Sequence, residues 1–406
     1  MFDPIKAQSK KLAAIAPLGI GKFFSLPEDV ISLGLGEPDF DTPAKAAAAA
    51  MAAIEKGYTH YPASEGLWEL RSATSAYLRK RFQLDYAPEE VLITVGGSEA
   101  FDSSVRAFIE DGDEVIVPEP TFSCYEPIIE LVGGKVVPVI TTLEEGFKLT
   151  AEKLRQAITP RTKILLLNYP NNPTGVDMTE EDYRQIAQVV AETNIIVITD
   201  EIYAELSYSE HHPCIVQQPG MRERTLYLSG FSKAHAMTGW RLGYVCGPTY
   251  LIDPIHKVHQ YSVMCASGVA QYAALAALNH CQEDVAKMTA AYRQRRDFVY
   301  RRICEIGLPC VKPEGAFYIL PSIRETGMTS LEFCERLMEE GRVAVIPGSA
   351  FGAGGEGFVR ISYAYDMDTL REAMNRIESF VKKCRKDQIA AAKPAFALNG
   401  EKAVSF

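Results

Sequence analysis

The 406-residue chain has no run approaching about 18 consecutive apolar residues, and that excludes a helical membrane span. Its nine cysteines and seven histidines include no Cys-x-x-Cys and no paired Cys/His spacing, so nothing is arranged to hold zinc and no metal site is expected. The cysteines read as reduced, mostly buried, small apolar residues. Positive charge is scarce: 42 Lys and Arg against 52 Asp and Glu leave a net charge of -10, which argues against nucleic acid or an anionic membrane as partner. The N-terminus makes a poor secretory leader, because the apolar stretch after Lys6, Lys10 and Lys11 is broken by Pro17, Gly19 and Gly21. A cytoplasmic protein is the expectation. No internal repeat is visible. What is present is the balance of an ordinary globular protein, 47% hydrophobic and 23% charged, long enough for two or three domains.

One stretch organises the rest: Ser229-Gly230-Phe231-Ser232-Lys233, followed by Thr238-Gly239-Trp240-Arg241. It leaves an apolar-rich run at 225–228 that reads as a strand, so Lys233 falls on a small-residue turn at the end of a sheet. Partly desolvated and set among cations such as Arg241, its amine would lose its proton near neutral pH and become a carbonyl nucleophile. The flanking hydroxyls and the arginine suit an anion. A lysine that forms a Schiff base beside a bound phosphate is the chemistry of pyridoxal phosphate. A surface turn with a solvated Lys and Arg fits the same residues.

Several other stretches read as strand ends bearing polar residues. Gly34 and Gly36 fall where a side chain would obstruct something approaching the backbone. Residues 44–56 form an alanine-rich helix, and Tyr61 lies in the polar, aromatic loop after it. The run 91–95 reads as a buried strand, Gly96-Gly97-Ser98 as a turn and 99–110 as a helix, so the amides of Gly97 and Ser98 lie at a helix N-terminus that favours phosphate. Phe122, in the next loop, is an aromatic suited to stacking on a flat cofactor. The runs 163–167 and 195–199 are continuous rather than alternating, as in a parallel sheet covered on both faces, and they lead into Asn172-Pro173-Thr174-Gly175 and Asp200-Glu201-Ile202-Tyr203. Alternating strands and helices to about residue 250 indicate a three-layer α/β core. Long helices at 252–277 and 283–305 then lead into a smaller α+β part, which the N-terminal segment is expected to join. The tail from Lys386 shows no amphipathic period and is expected to be mobile.

In this order Gly36-Glu37-Pro38-Asp39-Phe40, Tyr61, Gly97-Ser98, Phe122, Asn172-Pro173-Thr174-Gly175, Asp200-Glu201-Ile202-Tyr203, the Ser229 to Lys233 turn, Gly239-Trp240-Arg241 and Arg360-Ile361-Ser362 resemble the class I/II pyridoxal-phosphate aminotransferases. The resemblance spans nearly the whole chain. It implies pyridoxal 5′-phosphate as cofactor and the type I fold: a large domain with a mostly parallel seven-stranded sheet, a smaller domain from both termini, and a homodimer. The corresponding division is an N-terminal arm at 1–40, a large domain at 41–285, a small domain at 286–385 and a tail at 386–406.

The same resemblance implies roles. Lys233 carries the cofactor and moves the proton; Asp200 pairs with the ring nitrogen, and Tyr203 and Asn172 reach the ring hydroxyl. Gly97, Ser98, Ser229, Ser232 and Arg241 hold the phosphate, joined by Tyr61 of the neighbouring subunit, while Phe122 covers a ring face. Arg360 grips the substrate α-carboxylate near Gly36 and Asn172. Two departures weaken a pure aspartate preference: Phe122 stands where many aspartate aminotransferases carry tryptophan, and Ser98 where some bacterial ones carry a lysine. Ile15, Ile20, Phe23 and Phe24 form an apolar segment suited to closing over a substrate, or simply to packing the N-terminal helix. The expected reaction moves an amino group between an L-amino acid with an aromatic or other bulky side chain and 2-oxoglutarate. The alternatives are an aspartate or N-acetyl-diaminopimelate aminotransferase, or a carbon–sulfur β-lyase built on the same motifs.

Overall fold

A computed structural model describes residues 7–15 and 26–392. In chain order the elements begin α1 (Lys10–Ala14), β1 (Ile31–Ser32), α2 (Ala44–Glu55), α3 (Trp68–Phe82), β2 (Val91–Thr94), α4 (Gly96–Phe108), β3 (Glu114–Glu119), α5 (Tyr125–Val132) and β4 (Lys135–Ile140). They continue with α6 (Ala151–Ala157), β5 (Thr162–Asn168), α7 (Glu180–Ala191), β6 (Ile196–Asp200), β7 (Thr225–Gly230), β8 (Gly243–Cys246), α8 (Thr249–Ser262) and α9 (Gly268–His280). The last part holds α10 (Gln282–Ile306), β9 (Tyr318–Ile319), α11 (Ser330–Glu340), β10 (Val343–Ala344), β11 (Ile346–Pro347), β12 (Val359–Ser362) and α12 (Met367–Ala392).

Seven strands form one sheet in the order β2-β8-β7-β6-β5-β3-β4. Only β8 runs antiparallel to its neighbours β2 and β7. The continuous apolar runs explain this placement, because successive side chains of a strand point to opposite faces and both faces here are covered. On β5, Leu165 and Leu167 join a core with Leu70, Tyr183 and Ala273, from α3, α7 and α9. Ile164 and Leu166 point the other way, into a core with Val105, Ile129 and Ile255 from α4, α5 and α8. Helix, sheet and helix make the expected three layers.

A third apolar cluster is built by α10, α11, α12 and the short strands β9 to β12, and Ala234 and Ala236 of the Lys233 turn belong to it. The N-terminal strand β1 pairs with β10 in parallel. Helix α10 is tied at three places: Thr289 Oγ1 donates to Glu205 O (3.3 Å), Arg295 pairs with Asp39 (2.7 Å), and Arg302 Nη2 reaches Glu378 of α12 (2.7 Å). Where the sequence suggests one helix over 252–277, the chain forms two. Ser267 caps the second by accepting from Ala270 N, after a turn in which Met264 takes a left-handed φ of 70°. Helix α12 continues to Ala392, so the beginning of the expected tail is helical; residues 393–406 lie outside the described residues.

Candidate active site

At the C-terminal ends of the parallel strands, between the sheet and a second lobe formed by α10 to α12 with β9 to β12, lies a cavity of about 340 Å3. It is lined by Gly36, Gly97, Ser98, Phe122, Asn172, Asp200, Tyr203, Ser232, Lys233, Arg241 and Arg360, so eleven of the expected residues converge from separate stretches.

Its anionic end is built on backbone. Gly96 opens α4 at a φ of 77°, and a Cβ there would lie 2.9 Å from Arg241 Nη2. Gly243 of β8 passes so close that its own Cβ would lie 2.6 Å from the Gly96 carbonyl carbon. These contacts require glycine and leave the guanidinium beside the first amides of α4, which are free to bind an anion. Arg241 itself holds a left-handed φ of 51° and donates from Nη1 to Thr238 O at 2.9 Å.

Asp200 ends β6, where its carboxylate accepts from the Tyr125 hydroxyl (2.6 Å) and from Ile202 N (3.1 Å). Burial lifts its pKa to about 6 against the pull of those two bonds. Lys233 donates from Nζ to the Gly36 carbonyl. Burial first, and then the charge of Arg360, brings its amine down to about 8, with Arg241 adding to the effect and Glu37 opposing it. Tyr203 and Tyr318 share a hydrogen bond of 2.8 Å, and burial holds the Tyr203 phenol well above its ordinary pKa.

Arg360 comes from β12 and is 4% exposed. Its Nη1 donates to Asn172 Oδ1 at 2.9 Å and its Nη2 to Gly34 O at 2.6 Å, while Nε has no partner. The guanidinium lies 4.5 Å from the Tyr318 ring and 4.8 Å from the Phe351 ring. No carboxylate among the described residues pairs with it. A buried cation held by carbonyl groups and aromatic faces is a seat for an external carboxylate.

Two expected residues are not in the cavity. The Ser229 hydroxyl donates to Glu201 O (3.1 Å) on the far side of β7, while Ser232, past the end of the strand, does line the cavity. Tyr61 is 87% exposed and does not line the cavity of its own chain. Of the apolar N-terminal segment, Ile15 is described, whereas Ile20, Phe23 and Phe24 lie outside the described residues.

The cavity is also lined by residues to which the sequence assigns no role, among them Glu37, Phe101, Tyr125, Ile128, Asn168, Thr238 and Tyr318. Tyr125 could have been suspected from its place at the end of the Phe122 loop. Tyr318 carries no such signal, since it sits in an apolar run of the second lobe.

A family model described as aminotransferase class I and II matches residues 28–377. A probable N-acetyl-LL-diaminopimelate aminotransferase of Bacillus subtilis is 47% identical over 371 residues, covering 90% of this chain and 94% of that one. An aspartate aminotransferase of Pyrococcus abyssi is 44% identical over 383 residues, covering 93% and 98%. The crystal structure of an aromatic aminotransferase from Pyrococcus horikoshii superposes with a TM-score of 0.86 at 45% identity, covering 91% of this chain and all of that one.

Proposed function

The chain belongs to the class I and II aminotransferases, and from that premise we propose that the cavity around Lys233 is where it moves an amino group between an L-amino acid and 2-oxoglutarate. It is a transaminase of fold type I that depends on pyridoxal 5′-phosphate. The residues fit that group, since the Gly96 cradle beside Arg241 and the free amides of α4 suit its phosphate. When bound, pyridoxal 5′-phosphate supplies an aldehyde carbon that takes up amines and a ring that draws electrons from the substrate α-carbon.

In this reading Gly97, Ser98, Ser232 and Arg241 hold the phosphate. Asp200 pairs with the ring nitrogen; Asn172 and Tyr203 bond the ring hydroxyl, and Phe122 covers one ring face. Lys233 Nζ carries the cofactor and moves the proton at the substrate α-carbon. An amine brought down to about 8 accepts a proton under mildly alkaline conditions far more readily than an ordinary lysine does. Arg360 takes the α-carboxylate as a planar fork, with Gly36 and Asn172 beside it. The observation that carries the assignment is this buried guanidinium with its unpartnered Nε.

For the amino donor we favour bulky, above all aromatic, side chains. Lys233, Arg241 and Arg360 are the cations of the cavity among the described residues, and each already has a role. None is left for a distal carboxylate, whereas Phe101, Phe122 and Ile128 offer apolar surface. A long acylated diamino acid is the second reading, supported by the Bacillus subtilis relative. We further propose a homodimer in which Tyr61 reaches the partner's phosphate site, supported by its 87% exposure. A cytoplasmic location is supported by nine cysteines, all free.

The test is a panel of donors with 2-oxoglutarate, following glutamate, and with pyruvate release from cystathionine as the sign of a lyase. Phenylalanine and tyrosine should lead. An aspartate kcat/KM about tenfold above theirs, or about 1.4 kcal/mol of transition-state preference, would reverse the substrate reading. The protein should also be yellow and bleach with borohydride, and Lys233→Ala should lose transamination by orders of magnitude.

A further inference from the structure

We infer that His212 is a positioning residue for the reaction, clamping from beneath the cavity the two loops that carry Asn172 and the Asp200 to Tyr203 turn. The inference rests on the cofactor roles proposed above for Asp200 and Asn172. His212 is not a catalytic residue, for it lies outside the cavity lining and touches none of the groups that would meet cofactor or substrate.

Its ring is held between two carboxylates: Nδ1 stands 2.9 Å from Asp177 Oδ2 and Nε2 stands 2.7 Å from Glu201 Oε2. The side chains are 3% exposed for His212, 6% for Asp177 and none for Glu201. A neutral imidazole donates from one nitrogen only, so satisfying both carboxylates requires the doubly protonated ring. Burial opposes that charge, yet the two carboxylates outweigh it and hold the pKa up at about 10. Uncharged groups complete the surroundings: the Phe82 ring stands edge-on at 6.2 Å, the Cys214 thiol and Ser207 hydroxyl donate to Glu201 and Asp177, and the Tyr183 phenol, close enough to feel both carboxylates, is kept neutral by burial.

Each carboxylate leads to one wall of the site. Glu201 follows Asp200 directly; it accepts from Thr199 Oγ1 (2.7 Å) through its side chain and from Ser229 Oγ (3.1 Å) and Ala204 N (3.0 Å) through its carbonyl. Asp177 follows a loop closed by Asn171 N to Val176 O and by Gly175 N to Asn171 O, both 2.8 Å, and that loop carries Asn172 and with it the Arg360 contact. His212 joins the two by one buried cation. Without it, two buried carboxylates face each other across the gap, and the loops are pushed apart where Asp200 and Asn172 need fixed spacing.

The inference is tested in the cofactor-loaded enzyme with His212→Gln and with the double variant His212→Gln/Glu201→Gln, which removes one stranded carboxylate. His212→Gln should lower kcat about tenfold or more with little change in KM for the amino donor. The pH midpoint of the bound cofactor's visible band should move upward, because a loosely held Asp200 supports the ring cation less. The double variant should regain thermal stability but neither kcat nor the midpoint. Recovery of both along with stability would make His212 a purely structural residue and overturn the inference, as would a His212→Gln enzyme indistinguishable from wild type. A third measurement needs no variant. Nitrogen-15 NMR of the wild-type histidines should find one ring doubly protonated up to a pH of about 9, and its absence overturns the clamp. A wild type with no visible cofactor band would instead undo the assignment of the site, while leaving the NMR result to decide the clamp.

Discussion

Burial and the charge of Arg360 bring the Lys233 amine from 10.5 to about 8, so between those values the unfolded chain binds this proton and the folded chain does not. Stability of the cofactor-free protein therefore rises with pH across that window, and below it the buried ammonium weakens the fold. Lys233→Met should melt at a higher temperature than wild type at pH 7 in the absence of cofactor, and the gap should close as pH approaches 10.5. Equal melting temperatures at pH 7 would mean that the charge is solvated. Tyr125 gives a second test at this scale. Its hydroxyl is one of the two donors that keep the Asp200 carboxylate ionised against burial. In Tyr125→Phe, spectrophotometric titration should show weaker cofactor binding, with the loss greater below pH 6 than at pH 8, since the carboxyl already titrates at about 6. At the residue scale the sequence singles out Lys233, Asp200 and Arg360 by the chemistry of their side chains, and the fold brings all three to one cavity. It could not separate Ser229 from Ser232, because the choice depends on which of two nearby hydroxyls the end of β7 turns toward the cavity.

Among the elements, α4 is the one whose beginning is dictated by the site. Gly96→Ala would put a Cβ 2.9 Å from Arg241 Nη2 at a φ of 77°, a backbone that costs an L-residue about 1–2 kcal/mol. The expected result is a clear fall in cofactor affinity, read by titrating the cofactor-free protein, with only a modest drop in melting temperature. Unchanged affinity would place the phosphate elsewhere. Elements with one dominant periodicity were legible: the run at 91–95 holds β2 (Val91–Thr94), that at 163–167 lies inside β5, and the alanine-rich helix expected at 44–56 is α2 (Ala44–Glu55). The break between α8 and α9 was not, because Ser267 reads as an ordinary small residue until its hydroxyl is seen capping α9. Tyr318 escaped for a related reason. Nothing local marks a tyrosine of a short strand as the partner of Tyr203.

For the whole molecule, the exposed Tyr61 makes the proposed pairing of two chains testable. Gln260 Nε2 donates to Ser64 Oγ at 3.2 Å, tying the Tyr61 loop to the end of α8, where Tyr261 is 90% and Met264 57% exposed. An apolar surface of that kind is suited to a second copy. Tyr61→Ala and Lys233→Ala are each expected to be nearly inactive. Unfolded together in equal amounts and refolded, they should recover about a quarter of wild-type activity, since half the dimers then hold one intact site. No recovery would show that each chain completes its own site.

Helix α10 has a consequence for how the protein comes apart. Its 25 residues form a rod about 37 Å long, joined to the segment after Asp200 through Glu205, to the N-terminal loop through Asp39, and to α12 through Glu378. A chain of this length with two lobes would ordinarily melt in stages. Here neither lobe can lose its packing without baring the apolar side of the same rod, so scanning calorimetry should record a single endotherm. Two mutations that cut ties of the rod, Asp39→Asn at Arg295 in its middle and Glu378→Gln at Arg302 near its C-terminal end, should split it into two.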